Sequence, residues 1–434
     1  MNVTNKWPIV KLLTLAVDIK GAIAGGPFGS DLVSRDYVAS GVPVIRGSNL
    51  PKNAKFSFED LVFVTENKAD AHHLNCAHPG DLVFTQRGTL GQIGLLPKNS
   101  PYSRFLISQS QMKMTVDANR ADSLYLYNYF RLPSTVAYIE NHALQSGVPH
   151  INLGILKKLQ VICPPLAVQK KIVATISAYD DLIENNQRRI ALLEKMAEEI
   201  YREWFVRLRF PGHENVKNVK GIPEGWEIDR VDSIGKIVTG KTPSTDNPRY
   251  FGGPYTFVKT PDMHGNIFIV ETEERLSQNG LDSQPSQTIP RGSICVSCIG
   301  TGGIVSITTS ECQTNQQINS VVVRNLSDLE WAFFTLRNLR EAIQMFGATG
   351  ATMTNLSKGK FSSLKILRPN KSIVLKYHAL VNPIFVQMEN ILQQTMILRS
   401  TRDLLLPRLI SGKLSVEHLD IQFPPGMEES AHVN

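Results

Sequence analysis

The hydrophobic positions of residues 164–205 recur at alternating intervals of four and three. They form a first seam, whose members are Ile172, Ile176, Tyr179, Ile183, Asn186, Ile190, Leu193, Ala197, Ile200 and Trp204. This spacing predicts one long helix of the coiled-coil type, beginning after Pro164-Pro165. The alternative is a single amphipathic helix lying on a globular core, although such helices usually carry a wider apolar stripe. Asn186, the polar member, is expected to fix the register at some cost in stability.

The same spacing returns near the C-terminal end of the sequence. The second seam consists of Tyr377, Val381, Ile384, Met388, Ile391, Thr395, Leu398, Arg402, Leu405 and Leu409. Two seams in one chain most simply pair with each other, and we expect them to pair antiparallel. Asn382-Pro383 interrupts the second seam, so the second helix is expected either to kink or to begin there. The first helix would be about 60 Å long at a rise of ~1.5 Å per residue.

Outside the seams the sequence repeats itself once, with four strings kept in the same order. Their two copies are offset by 203 to 219 residues. The pairs are Trp7–Leu12 with Trp226–Val231, Pro79–Gly91 with Pro290–Gly303, Gln109–Gln111 with Asn315–Gln317, and Ser146–Leu153 with Thr349–Leu356. Short apolar runs between Gly and Pro turn signals predict that each copy is a strand-rich unit of about 150 residues.

These patterns predict an α+β architecture with two strand-rich units in a pseudo-two-fold repeat, separated by two long antiparallel coiled-coil helices. The predicted segments are 1–163 for the first unit, 164–210 for the first helix, 211–370 for the second unit, 371–416 for the second helix and 417–434 for a tail. An approximate two-fold axis would then relate the two units.

Composition narrows the class of protein without identifying a function. The 434 residues are 42% hydrophobic and 20% charged, which excludes a disordered or disulfide-scaffold protein. The net charge of +7 is compatible with a polyanionic partner but does not require one. Five cysteines are few and odd in number, which favours a reducing cytoplasm, and no apolar run is long enough for a membrane span. We therefore expect a cytoplasmic protein.

Several motifs are typical of nucleotide-binding, methyltransferase or zinc sites, but the residues around them do not support these functions. Gly235–Thr242 satisfies the phosphate-loop pattern, but two prolines follow where a helix should begin. Asn247–Tyr250 resembles the Asn-Pro-Pro-aromatic motif of adenine methyltransferases, but Arg249 replaces the second proline. The pair Cys295 and Cys298 lacks the further ligands that a zinc site needs. We therefore expect no catalytic residues and no metal ligands in this chain.

Four strings resemble the specificity (S) subunits of type I restriction-modification systems. Two of them, Pro164–Val173 and Leu192–Val206, belong to the first helix. Ile222–Trp226 opens the second unit, and Leu398–Leu414, which reads LRSTRDLLLPRLISGKL, closes the second helix. The resemblance covers nearly the whole chain, and the last string is the most specific.

The resemblance implies that each unit is a target-recognition domain reading one half of a bipartite site on double-stranded DNA. The helices would set the spacing and bind two modification subunits, and restriction subunits would join the assembly. S-adenosylmethionine, ATP and Mg are then expected only in those partner subunits, with no cofactor in this chain. The alternative is a coiled-coil scaffold that assembles partners without reading DNA, and salt-sensitive, sequence-selective DNA binding distinguishes the two.

If the units read DNA, amide, guanidinium and hydroxyl side chains on Gly-rich loops are the candidate contacts, because these groups recognise base edges and phosphates. Each candidate could equally stabilise a turn. In the first unit the candidates are Arg46, Ser48, Asn49, Gln86, Arg87, Thr89, Gln109, Gln111, Ser146, His150 and Asn152. In the second unit they are Lys259, Asp262, Thr301, Asn315, Gln316, Gln317, Thr349, Thr352, Thr354 and Asn355. The small identity between the units outside the matched strings predicts an asymmetric site.

Overall fold

The computed structural model describes residues 6–51, 54–144, 148–348 and 354–424. The contacts within the chain divide it into two compact units. Unit 1 comprises Met1–Ile183 and Ile397–Asn434, and unit 2 comprises Glu184–Met396. Each unit therefore contains one strand-rich region together with a part of each long helix. The segment boundaries given by the sequence stay predictions.

The first unit is built from short strands and short helices that precede the first long helix. Its strands are β1 (Ile9–Lys11), β2 (Ile23–Gly25), β3 (Val42–Ile45), β4 (Val62–Val64), β5 (Cys76–Ala77), β6 (Leu82–Thr85), β7 (Ile93–Leu95), β8 (Phe105–Ile107), β9 (Gln111–Met114) and β10 (Gln160–Ile162). Its helices are α1 (Glu66–Ala71), α2 (Ser123–Phe130), α3 (Pro133–Asn141), α4 (Leu153–Lys158) and the beginning of α5 (Leu166–Tyr201).

Two four-stranded sheets form the body of unit 1, in the orders β2-β9-β6-β7 and β4-β3-β8-β5. β3 and β8 are parallel, whereas the other pairs of these two sheets are antiparallel. A separate antiparallel pair joins β1 to β10. The first sheet packs against α2 and against Ile172, Ile176 and Leu409 of the long helices, in one apolar core. Burial of these apolar surfaces is the main force that holds helices and sheet together.

Unit 2 contains the second set of short elements and most of the second long helix. Its strands are β11 (Asn218–Val219), β12 (Ile222–Pro223), β13 (Glu227–Arg230), β14 (Gly235–Thr239), β15 (Phe251–Val258), β16 (Phe268–Ile269), β17 (Arg275–Leu276), β18 (Ile294–Ser297), β19 (Ile299–Gly300), β20 (Val305–Thr308), β21 (Cys312–Thr314), β22 (Ile318–Val323), β23 (Thr354–Asn355) and β24 (Lys365–Arg368). Its helices are α6 (Thr260–Met263), α7 (Gln278–Asp282), α8 (Leu329–Asn338), α9 (Arg340–Gly347), α10 (Lys358–Ser362) and α11 (Lys371–Ile410), whose last part belongs to unit 1.

The sheets of unit 2 repeat those of unit 1. The order β14-β22-β18-β20 corresponds to β2-β9-β6-β7, with β16 added at the edge. The order β17-β15-β21 corresponds to β4-β3-β8, and β15 and β21 are again the parallel pair. The antiparallel pair β13 and β24 corresponds to β1 and β10. The predicted α+β fold with an internal duplication is therefore confirmed.

The two long helices pack antiparallel within each unit. In unit 2 the Asn186 amide donates to the Thr395 hydroxyl at 3.2 Å, and the Tyr377 hydroxyl donates to the Ala197 carbonyl at 3.4 Å. In unit 1 the Arg402 guanidinium donates to an Asp180 carboxylate oxygen at 2.7 Å. Higher numbers on one helix therefore contact lower numbers on the other. The predicted long helix α5 ends in a single π-helical turn, Arg202–Val206.

Pro383 lies inside α11, so the expectation that the second helix might begin there is wrong. Proline removes one helical hydrogen bond, at a cost of about 3 kcal/mol. The surrounding turns compensate, because Val381 and Phe385 are buried in the core of unit 2. Asn382 and His378 also bind the carboxylate of fully buried Glu330 of α8, at 2.8 Å and 2.7 Å. Tertiary packing therefore outweighs the local break.

The motifs that resembled a phosphate loop and a zinc site belong to the strands and the buried core of unit 2. Residues Gly235–Thr239 of the apparent phosphate loop form strand β14, and no helix begins at Lys241. Cys295 and Cys298 are buried, and burial raises the pKa of their thiols to about 12 and about 11. These thiols therefore stay protonated near neutral pH. Among the described residues no helix is long and apolar enough to cross a membrane.

Candidate nucleic-acid interface

In each unit the same set of backbone hydrogen bonds lies where the chain passes from one of the two larger sheets to the other, and we call this place the junction. Most of the candidate residues lie at or beside this junction. In unit 1 three backbone hydrogen bonds of 2.7–3.0 Å form this junction. The backbone amide of Ser108 donates to the Ile45 carbonyl, and that of Gly26 donates to the Gln111 carbonyl. The backbone amide of Gln86 donates to the Ser110 carbonyl. In unit 2 the donors are the amides of Asn315, Gly240 and Cys298, and the acceptors are the carbonyls of Val258, Ile318 and Gln317, again at 2.7–3.0 Å. The two junctions therefore have one backbone framework.

These hydrogen bonds correct the pairing of residues between the copies. Ser108 corresponds to Asn315, so Gln109 corresponds to Gln316, one position away from the match made in the sequence. The fourth string also shifts. The backbone amide of Ile151 donates to the Gln86 carbonyl, and the backbone amide of Leu356 donates in the same way to the Cys298 carbonyl. Ile151 therefore corresponds to Leu356, and the residues that follow them, Asn152 and Ser357, are counterparts. Both side chains cap a short helix, Asn152 at α4 and Ser357 at α10, with hydrogen bonds of 2.9 Å and 3.4 Å.

Gly26 and Gly240 explain why both junctions need glycine at this position. A Cβ atom on Gly26 would lie 2.0 Å from the Ser108 carbonyl oxygen, and one on Gly240 would lie 2.1 Å from that of Asn315. No real Cβ atom approaches a backbone oxygen so closely. The loop after each glycine is therefore held directly against the segment that carries Gln109 or Gln316.

Asn49 and Asp262 do not present their side chains to a ligand, because both are used in the framework. The Asn49 side chain is buried, accepts from the Arg46 amide at 2.9 Å, and donates to the Ser57 and Glu59 carbonyls. The Asp262 carboxylate accepts from the Lys259 amide at 2.8 Å and from the Glu273 amide at 3.1 Å. Each residue shapes the turn that follows the parallel strand, so we assign it to the scaffold instead of to base contacts.

The basic residues that begin these turns remain close to solvent. Arg46 is half-buried, and its guanidinium donates to the Asp60 carbonyl. Its Nε atom is buried without a hydrogen-bond partner among the described residues. Lys259 is also half-buried, and its ammonium group lies 2.5 Å from the Glu274 carboxylate. Ser48, two residues after Arg46, is exposed. Both cations are thus already engaged with protein groups.

Gln111 is a second correction to the list of candidates. Its side chain is fully buried at the start of β9, and its Oε1 atom accepts from the Ser108 hydroxyl. Its Nε2 atom has no hydrogen-bond partner in the described part of the chain. A buried amide cannot reach a base edge in the major groove, so Gln111 belongs to the packing beneath the junction.

The exposed candidates of unit 1 surround this junction. Arg87, Thr89 and Gln109 are exposed, and Gln86 is half-buried beside them. The side-chain amide of Gln109 makes no hydrogen bond to any described residue, so its NH₂ donor and its Oε1 acceptor are both available to a ligand. His150 pairs with Arg87 across an isolated β-bridge, and its Nδ1 atom lies 3.2 Å from the Val148 carbonyl. The predicted cluster is therefore brought together in space.

In unit 2 the corresponding glutamine has one partner. Gln316 is exposed, and its Oε1 atom accepts from the Thr242 hydroxyl at 2.7 Å. Gln317 is half-buried, and its Oε1 atom accepts from the Thr260 hydroxyl at 3.1 Å and the Asn315 amide at 3.2 Å. Among the described residues the NH₂ group of the Gln316 side chain therefore has no partner, whereas Gln317 and Asn315 stabilise each other.

The remaining candidates of unit 2 lie along a short β-pair beside the junction. Thr354 and Asn355 of β23 pair with Gly300 and Ile299 of β19, and exposed Thr301 follows directly. Ser146, Thr349 and Thr352 lie outside the described residues. The described candidates of each unit are consequently grouped around one junction.

Two residues at the junction were missed in the sequence. Phe28 follows Gly26 by two positions and is exposed, and Thr242 stands at the same place after Gly240. Thr242 belongs to the phosphate-loop pattern Gly235–Thr242, and its segment Gly240–Thr245 also resembles the opening of recognition domains in the specificity-subunit family, but no DNA contact was predicted for Thr242 from the sequence. The strings Gly25-Gly26-Pro27-Phe28-Gly29 and Gly240-Lys241-Thr242-Pro243 are the signals that could have identified these loops, because Gly and Pro together mark a constrained turn.

The chain is similar to known proteins in sequence and in fold. A family model described as type I restriction modification DNA specificity domain matches residues 35–195 and again residues 223–382. The HindI specificity subunit of Haemophilus influenzae is 28% identical over 407 residues, covering 77% of this chain and 86% of that protein. The MjaIX specificity subunit of Methanocaldococcus jannaschii is 25% identical over 433 residues, covering 95% and 94%.

A solved structure supports the same fold. The S subunit of a type I restriction-modification system from M. genitalium matches with a TM-score of 0.56 at 14% identity, over 94% of this chain and 97% of that one. At this identity the likeness establishes the architecture alone. The two matches of the family model agree with the duplication observed in the sheets.

Proposed function

This chain belongs to the type I restriction-modification DNA specificity family, and we propose that it confers DNA sequence specificity on such a complex. Each unit reads one half of a bipartite target. The chain is a specificity subunit, and this family is non-catalytic in general. The division of labour between the units is supported by the duplicated junction.

The observation that carries the proposal is the equivalence of Gln109 and Gln316. Both glutamines are exposed, and both are held by the same backbone hydrogen bonds at the junction of two sheets. A glutamine amide recognises adenine in the major groove, because its oxygen accepts from N6 and its NH₂ donates to N7. A rigid framework that presents such an amide twice in one chain suits a target with two separate halves.

The loops near these glutamines supply the groups for phosphate contacts. Arg87 in unit 1 and Lys241 in unit 2 are exposed cations at the junctions, and neither makes an ion pair with a described residue. Hydrogen bonds and charge contacts to phosphate fix the orientation of a protein on the duplex without reading sequence. Arg87 and Lys241 are therefore proposed to orient each unit so that its glutamine faces the major groove.

The partners proposed for this chain are two modification subunits and the restriction subunits of the complex. The long helices expose apolar side chains that their own units leave uncovered, which suits the docking of modification subunits. These side chains are Leu182, Leu192, Met196, Val386, Ile397 and Leu404. S-adenosylmethionine is proposed to bind to the modification subunits, and ATP with Mg to the restriction subunits. The proposed location of the complex is the cytoplasm.

The test is to co-express this chain with the modification subunits encoded beside it and to map N6-methyladenine across the host DNA. We expect one split motif with a fixed unread gap, absent from cells that lack this chain. Purification of the complex from the same cells provides the control for assembly. An assembled complex that methylates no motif would contradict the proposal and favour the coiled-coil scaffold.

A further inference from the structure

Phe28 is the most exposed large apolar side chain at either junction. It is 85% exposed and makes no aromatic contact with any residue in the described ranges. Leaving a phenylalanine in water forfeits the free energy that its burial would provide. The loop is nevertheless rigid, because Gly26 is pressed against the Ser108 carbonyl and the Asp31 amide donates to the Phe28 carbonyl at 2.7 Å. The loop contacts therefore fix the backbone at Phe28, and its ring is exposed to solvent.

Comparison of the two junctions locates that place relative to the DNA-reading glutamine. Phe28 stands two residues after Gly26, as Thr242 stands two residues after Gly240. In unit 2 the Thr242 hydroxyl touches the Gln316 amide oxygen at 2.7 Å. Phe28 cannot donate such a hydrogen bond, and Gln109 accordingly makes none with the described residues. At the position with the same offset in sequence, unit 1 therefore carries an apolar ring instead of a hydroxyl, and the Gln109 side-chain amide has no partner among the described residues.

We propose that Phe28 contacts the C5-methyl group of a thymine in the half-site read by unit 1, beside the base pair contacted by Gln109. This inference rests on the proposed function and specifies which chemical feature of the DNA unit 1 recognises. The thymine methyl is the apolar group that the major groove offers, and phenylalanine is among the side chains that contact it. Thr242 makes the corresponding position of unit 2 polar.

The position next to Gln109 favours a methyl contact over insertion of the ring between base pairs. Apolar wedges that unstack bases typically enter from the minor groove. A glutamine that reads adenine approaches from the major groove, and the Phe28 loop is attached to the segment that carries Gln109. The adenine contacted by Gln109 also pairs with a thymine, so a methyl group lies within the same groove surface.

The test uses the complex of this chain with its modification subunits and short duplexes that carry the mapped target. The half-site of unit 1 is identified as the half whose sequence requirement relaxes in the Gln109→Ala complex. Each thymine of that half-site is then replaced in turn by deoxyuridine, which removes only the methyl group. Methylation is measured at DNA concentrations below saturation, for the wild-type complex and for Phe28→Ala.

We expect one deoxyuridine to lower the wild-type rate about fourfold, the effect of one buried methyl group. The Phe28→Ala complex should methylate thymine and deoxyuridine duplexes at that position equally, and about as slowly as the wild type methylates the deoxyuridine duplex. Because Phe28 is exposed, this variant should keep the thermal stability of the wild type. Ile19→Ala is the matched control, since Ile19 is also exposed but lies beyond the other end of β2.

Three results would overturn the inference. The first is a wild-type complex that tolerates deoxyuridine at every position of the half-site. The second is a Phe28→Ala complex that keeps the wild-type preference for thymine. The third is a uniform loss of rate on all duplexes in Phe28→Ala, which would indicate a wedge or a general contact. Failure of the proposed function is distinguishable, because the wild-type complex would then yield no methylation motif.

Discussion

Substitution of Gln316 by alanine offers the sharpest test of how unit 2 reads DNA. Gln316 is exposed, and within the described part of the chain its side chain makes one hydrogen bond, which Oε1 accepts from the Thr242 hydroxyl at 2.7 Å. That bond occupies one lone pair of Oε1 and leaves a second lone pair and both N–H groups for a base. Loss of a bidentate contact to adenine costs about 1–3 kcal/mol, which corresponds to a factor of about 5 to 160.

The assay compares methylation rates on duplexes altered in either half-site. We expect Gln316→Ala to lose discrimination at one base pair of the second half-site by that factor and to keep full discrimination at the first. Thermal stability should not change, because an exposed side chain with one hydrogen bond contributes little to folding. Gln287→Ala is the control, since Gln287 lies near the opposite end of β21 and its side-chain amide donates to the hydroxyl of the neighbouring Ser286 at 3.1 Å.

Thr242→Ala extends the test to the residue that orients the glutamine. The variant loses one hydrogen bond, so we expect a smaller effect of about 0.5–1.5 kcal/mol at the same base pair. When Gln316 is already alanine, removal of the Thr242 hydroxyl should add almost nothing, because the two residues act through one contact. Equal losses at both half-sites in Gln316→Ala would refute this reasoning and indicate a folding defect. Unchanged discrimination at both would exclude Gln316 from recognition.

Other consequences can be measured independently. Thr395→Val leaves the buried Asn186 amide without its acceptor, so the melting temperature should fall by an amount equivalent to about 1–3 kcal/mol, whereas Thr395→Ser should preserve it. Seven residues inserted into both long helices add ~10.5 Å of helix, so the mapped motif should gain about three unread base pairs; an unchanged gap would contradict a spacing role. Buried Cys295 and Cys298 have raised thiol pKa values, so iodoacetamide should label them only after unfolding, as mass spectrometry would detect.

The parts of the fold that the sequence predicted are those encoded by a local period. Alternating spacings of four and three specify a helix seam through helical geometry alone, and α5 and α11 follow it. Pro383 shows the limit of that reasoning. Its local preference is to end a helix, but the core around Val381 and Phe385 and the Glu330 contacts come from segments distant in sequence. No local pattern could have revealed them.

The candidate site was predicted in outline because glycine-rich loops repeat in the sequence. The individual roles depended on which way each polar side chain faces. Asn49 and Gln111 have the same chemistry as Gln109, but the first two turn inward to satisfy backbone and hydroxyl groups. Phe28 was overlooked for the opposite reason, because phenylalanine usually indicates a core position. Side-chain direction at a junction depends on tertiary contacts, which the sequence does not display.

The two junctions share a framework and differ in the side chains that face solvent, which would let one scaffold serve two half-sites. The residues that build the framework are matched in kind, since Gly26 and Gly240 make the same close approach and Asn49 and Asp262 hold the same turn. The residues that face solvent differ. Phe28 and Thr242 stand at the same distance in sequence from Gly26 and Gly240 and differ in polarity, so we expect the two units to prefer different base pairs there. With a duplicated framework and divergent exposed side chains we therefore expect an asymmetric target, and a palindromic methylation motif would contradict this expectation.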